Sequence, residues 1–127
     1  MNQKQFSVIA RAKSVTHAWR GVKLFVKTTH NAWLHIGAAS IIIVCGLLIK
    51  VSQFEWIALV FAIGLVLVAE AFNTAIEIDM DLTSPQTHPL AGDTKDVAAG
   101  AVLIASIIAA VVGVLVFAPH IFVLSLW

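Results

Sequence analysis

An apolar run that begins at Trp56 is long enough to cross a membrane, and it ends in acids. The order is Val66-Leu-Val-Ala-Glu70-Ala-Phe-Asn73-Thr74-Ala-Ile-Glu77-Ile-Asp79-Met-Asp81, then a polar loop, then Thr94-Lys95-Asp96. An ionised side chain inside a bilayer costs several kcal/mol unless something compensates it. At ~100° per residue, Glu70, Asn73, Glu77 and Asp81 fall within ~80° of one another on a helix. They make one polar stripe, and such a stripe needs a cation, a metal or a polar ligand.

The rest of the chain fits a membrane setting. Of 127 residues, 60% are hydrophobic and 12% charged, more apolar surface than a soluble core of this size can hide. The expected fold is all-α, a single domain over 1–127, with an amphipathic surface helix at 3–29 and transmembrane helices at 31–49, 56–78 and 97–118. The net charge of +1 conceals a strong asymmetry. Lys4, Arg11, Lys13, Arg20, Lys23 and Lys27 precede the first span, whereas every acid lies between Glu55 and Asp96. Cys45 is the only cysteine, so no intrachain disulfide exists.

In the first segment Val8, Ala12, Val15, Trp19, Val22 and Val26 form an apolar stripe beside an arc of Lys13, Arg20, Lys23 and Lys27. That pattern reads as a basic anchor on anionic headgroups, with Arg20, Lys23 and Lys27 also able to meet phosphates. The first span has Trp33 near its start and Lys50 at its exit; His35 reads as a packed or interfacial histidine, with lipid handling as its functional alternative. Val51–Glu55 is a tight connection. Pro85, Pro89 and Gly92 mark Leu82–Asp93 as a loop, after which Thr94 or Asp93 can cap the third span. Ala101, Ala105, Ala109 and Gly113 form a small-residue ridge for close helix packing, and Phe117, Phe122 and Trp127 are candidate interfacial anchors. A basic N-terminus held in the cytoplasm sets the turn at 50–55 outside, the loop at 79–96 inside and the C-terminus outside.

Depth separates the acids. With ~1.5 Å rise per residue, Glu70 lies ~21 Å and Glu77 ~31 Å from Trp56, in a hydrocarbon core ~30 Å thick. A water-soluble cofactor can reach Glu77, while Glu70 sits where a lipid hydroxyl would be found. Glu77 and Asp81 are hard oxygen ligands suited to Mg²⁺. Lys95, at a helix N-terminus, can meet a phosphate. Glu70, taken out of water, is suited to act as general base on an alcohol. These parts suit phosphoryl transfer to a membrane-embedded hydroxyl, without the Gly-rich loop of a P-loop or protein-kinase fold. A structural polar seam, and an ion-carrying role for Glu70, remain the alternatives that spacing leaves open.

Glu70-Ala-Phe-Asn-Thr-Ala-Ile-Glu77, Asp81 and Lys95-Asp96-Val-Ala-Ala-Gly-Ala-Val, with Ala18-Trp-Arg-Gly21, Asn31 and His35, resemble the small prokaryotic diacylglycerol kinase / undecaprenol kinase family. The likeness covers nearly the whole chain. It implies a homotrimer in the inner (plasma) membrane of a prokaryote, with active sites on the cytoplasmic side between helices of adjacent subunits. It implies Glu70 as catalytic base, Glu77 as ligand to metal and nucleotide, and Asn73, Asp81, Lys95, Asp96 and His88 around Mg²⁺ and ATP. Trp19, Asn31 and His35 would join Glu70 in contacting the lipid alcohol. The Asn-Thr-Ala-Ile-Glu wording and the Asn31/His35 pair look closer to undecaprenol kinases than to diacylglycerol kinases. No nucleic acid is expected as a partner.

One departure stands out. The family places a metal-binding glutamate just before the Asn31 position, within Thr28-Thr29-His30-Asn31, where this chain has Thr29. A neutral hydroxyl cannot replace a negative charge. Metal held by Glu77 and phosphates with Asp81 or water, an altered substrate, and a weakened enzyme or non-catalytic scaffold are the three accounts it admits. Asp79, ~180° from the stripe, is read as ending the span by reaching water, with a rescue of metal binding in a neighbouring subunit as the alternative.

Overall fold

A computed structural model describes residues 8–86 and 88–124. Residues 3–7 of the expected surface helix, with Lys4, and the proposed anchor Trp127 lie outside the described residues. The order is α1 (Val8–Thr28), α2 (His30–Ile49), α3 (Gln53–Thr83) and α4 (Pro89–Leu124). Among the described residues, three helices are long and apolar enough to cross a membrane, over Asn31–Ile49, Gln53–Thr83 and Pro89–Phe122.

A single extended residue separates α1 from α2. Thr29 takes φ −101° and ψ 112°, where the basic segment gives way to the apolar span. α2 closes at Lys50, which adopts the left-handed conformation at φ 59°. The Val51 N–H then donates to the Gly46 carbonyl, as in a Schellman stop, and the Val51 side chain is buried as such stops favour. Ser52 caps α3 at once: Glu55 N–H donates to its hydroxyl, and Ser52 N–H donates to Glu55 Oε2. This capping box starts the helix at Gln53, ahead of the apolar run at Trp56.

α3 and α4 form the most extensive packed pair. Leu59, Ala62, Val66, Glu70, Asn73 and Thr74 are the buried residues of α3; Ala98, Ala105 and Val116 are buried on α4. The core gathers Val51, Leu59 and Val116 with Trp56 and Phe117 packed against them, so Phe117 serves the core while Phe122 is exposed. Close approach of α2 to α3 depends on Gly46, where an added Cβ would stand 2.9 Å from the Trp56 indole. His120 Nε2 lies 3.0 Å from Glu55 Oε1 and ties the end of α4 to the start of α3. Within the ridge, Ala105 is buried, Ala109 and Gly113 are half-buried and Ala101 is exposed.

Two boundaries differ from the sequence reading. α3 runs on to Thr83, because leaving the membrane does not end a helix and no breaker occurs before Pro85. α4 begins at Pro89, with neither Asp93 nor Thr94 as its cap. Proline at the first helical position costs nothing, since its missing N–H would have no helical partner there. His88 supplies the cap: its ring Nδ1 accepts from Leu90 N–H and its carbonyl from the Ala91 and Gly92 N–H groups. Thr94 lies inside the helix, donating its hydroxyl proton to the Leu90 carbonyl.

Candidate active site

The polar stripe divides where α3 leaves its apolar cover. Glu70 is 1% exposed and Asn73 6%, whereas Glu77, Asp79 and Asp81 are exposed. Glu70 Oε1 and Asn73 Oδ1 are buried and have no hydrogen-bond partner among the described residues. A buried acceptor left unpaired costs about 1–3 kcal/mol, more if charged. Two such atoms within one helical turn mark a place that a donor should fill. Asn73 Nδ2 donates to Glu77 Oε1 at 3.1 Å, so the amide joins the buried level to the exposed one.

A second chain of bonds runs to the helix break. Thr74 donates to the Glu70 carbonyl at 2.9 Å, and Thr29 Oγ1 lies 2.9 Å from Thr74 Oγ1. Thr74 is the participant that sequence reading missed. It lies ~40° from Glu70 on the helical wheel, but a threonine inside a helix commonly bonds back to its own turn and signals nothing alone.

Two cavities flank the cytoplasm-facing end expected for α3. One, of about 300 Å³, lies against the α1–α2 junction and is lined by Thr28, Thr29, Asn31, Thr74, Glu77 and Asp81, with Ile78. The other, of about 560 Å³, lies toward the connection to α4 and includes Asp81, His88, Pro89 and Lys95. Asp81 belongs to both walls. Lys95 sits in the second turn of α4, away from the N-terminal amides, and donates to Asp81 Oδ1 at 2.6 Å. An exposed pair of this kind is worth ~0–1 kcal/mol, so an incoming phosphate can displace it. With Nδ1 of His88 accepting from Leu90, the neutral ring carries its proton on Nε2.

The remaining expected residues stand apart from this cluster. Asp96 is exposed on α4 and lines neither cavity. Trp19 is exposed on α1. His35 is half-buried and borders an apolar cavity of about 320 Å³ between α2, α3 and α4, with Val66, Leu67, Ser106 and Gly113. Val66 is one turn from Glu70, so this apolar space begins just deeper in the membrane than the buried acid. Glu70 itself lines none of these three cavities.

No three His, Cys, Asp or Glu side chains converge on a metal position among the described residues. The donors present are Glu77, the hydroxyl oxygens beside it and Asp81, which already holds Lys95. That set suits a hard cation that brings most of its own oxygen ligands, as Mg²⁺ does with water and phosphates. It does not make a complete protein cage.

The chain has clear relatives. The family model for prokaryotic diacylglycerol kinase matches residues 16–117. An undecaprenol kinase of Bacillus subtilis is 40% identical over 107 residues, covering 84% of this chain and 87% of that protein. A diacylglycerol kinase of Synechocystis is 38% identical over 101 residues, or 79% of this chain and 58% of that longer protein. A diacylglycerol kinase of Escherichia coli is 27% identical over 117 residues, covering 85% and 88% of the two chains.

Proposed function

The chain belongs to the prokaryotic diacylglycerol kinase family and is a lipid kinase, and from that premise we propose that it phosphorylates undecaprenol in preference to diacylglycerol, using ATP and Mg²⁺. The preference rests on the 40% identity to an undecaprenol kinase along most of both chains. The reading of the site rests on one observation: a carboxylate oxygen, Glu70 Oε1, buried and without a partner among the described residues, at the foot of a polar stripe.

An alcohol supplies the donor that this oxygen lacks. The lipid hydroxyl donates to Glu70, which takes the proton as the oxygen attacks the γ-phosphorus. The new P–O bond forms as the bond to the β-phosphate oxygen breaks, and ADP leaves. Asn73 orients Glu77 through the bond it donates. Lys95 exchanges Asp81 for a phosphate oxygen, and Asp81 and His88, which line the larger cavity, flank the nucleotide; Asp96, next to Lys95 but outside that cavity, is placed near the nucleotide by the family likeness alone. Glu77 would hold Mg²⁺, which offsets charge on the transferring group when bound. Trp19, Asn31 and His35 contact the lipid, with His35 beside the apolar space one turn deeper than Glu70. The enzyme works as a homotrimer in the inner membrane, its site on the cytoplasmic side. The many exposed apolar residues on α2 and α4 support burial in lipid and against other subunits.

Phosphorylation of undecaprenol and of diacylglycerol, compared in mixed micelles with Mg-ATP, tests this assignment. A higher kcat/KM for undecaprenol is expected. A higher value for diacylglycerol would overturn the acceptor, and turnover of neither would overturn the kinase reading itself.

A further inference from the structure

Three threonines line the 300 Å³ cavity beside Glu77, and all three have their protons committed elsewhere. Thr28 donates to the Leu24 carbonyl at 2.8 Å. Thr74 donates to the Glu70 carbonyl at 2.9 Å. A hydroxyl has one proton, so the proton in the 2.9 Å contact between Thr29 and Thr74 comes from Thr29. Thr29 is the N-cap of α2 and makes no side-chain capping bond, although capping is what a threonine there ordinarily does. Its hydroxyl is turned across to α3 instead.

The wall is therefore made of acceptors. Thr28, Thr29 and Thr74 offer only lone pairs, Glu77 and Asp81 are carboxylates, and the Asn31 amide is the one side chain able to donate. Such a wall suits a hydrated divalent cation, whose waters are donors and whose charge the carboxylate meets. From this geometry we infer that Thr29 is a neutral oxygen contact to the divalent cation, and that the site holds the cation only together with nucleotide phosphates. Glu77 is one negative charge with one oxygen already engaged by Asn73, and Asp81 is neutralised by Lys95. The protein's own share of charge is too small to retain a bare ion; the phosphates supply the remainder. This inference rests on the kinase reading above.

Mn²⁺ binding to the full-length protein in detergent, followed by electron paramagnetic resonance, tests it without turnover. Wild type should bind little Mn²⁺ alone and should bind it when a non-hydrolysable ATP analogue is added. Thr29→Glu should tighten binding of Mn²⁺ alone about tenfold or more, Thr29→Ser should match wild type, and Thr29→Val should lose about tenfold with the analogue present. Bare Mn²⁺ binding by wild type as tight as by Thr29→Glu, or an analogue-dependent affinity unchanged in Thr29→Val, would overturn this inference alone. Failure of the analogue to bind any variant would overturn the kinase reading with it.

Discussion

Lys95 illustrates how a side chain can be held ready without being held firmly. Its 2.6 Å bond to Asp81 joins two partly exposed groups, so the pair contributes ~0–1 kcal/mol to folding. A hydrogen bond to a charged group in a bound ligand is worth about 1.5–3 kcal/mol. On the proposed reading, a bound phosphate takes the lysine from Asp81. Lys95→Ala should raise the KM for ATP about tenfold or more while leaving thermal stability within about 0.5 kcal/mol. A changed melting midpoint with an unchanged KM would assign the residue to structure. The stripe of Glu70, Asn73, Glu77 and Asp81 was legible because 3.6-residue periodicity fixes which side chains share a face. The Thr29–Thr74 bond was not, because nothing in a linear chain says which hydroxyl a partner 45 residues away will meet.

At the scale of the helices, small residues decide how closely segments approach. Gly46 lets the Trp56 indole lie against α2, and a methyl group there would stand 2.9 Å from the ring. Gly46→Ala should cost about 1–3 kcal/mol by overpacking, read as a lower thermal midpoint in detergent. Gly64→Ala, with nothing within 4 Å of the added Cβ, should be neutral or stabilising by up to about 1 kcal/mol. Equal losses at both sites would contradict this packing. The helix ends divide along similar lines. The break at Thr29 falls where the basic segment gives way to the apolar span. The start of α4 was misjudged because Pro89 and Gly92 read as loop residues, whereas His88 caps a helix that opens with the proline. α3 ends at Thr83, beyond the span expected at 56–78, because its acids mark only the passage of the helix into water.

On the scale of the whole chain, the layout follows from unequal solvents. α3 and α4 bury an apolar seam against each other, and that seam continues into a buried acid and amide, each with one oxygen that has no partner among the described residues. About two turns of helix separate Glu70 from the exposed Glu77, and two cavities lie at the exposed end. On the proposed reading, a greasy alcohol and a charged nucleotide meet this one stripe from opposite media. If Glu70 is the group that takes the alcohol's proton, neutralising it should separate chemistry from binding. Turnover and nucleotide affinity of Glu70→Gln, measured on the same preparation, test this most directly. The account predicts a loss in kcat of at least about 10²-fold with nucleotide binding within about threefold of wild type; retained turnover, or parallel loss of both, would contradict it.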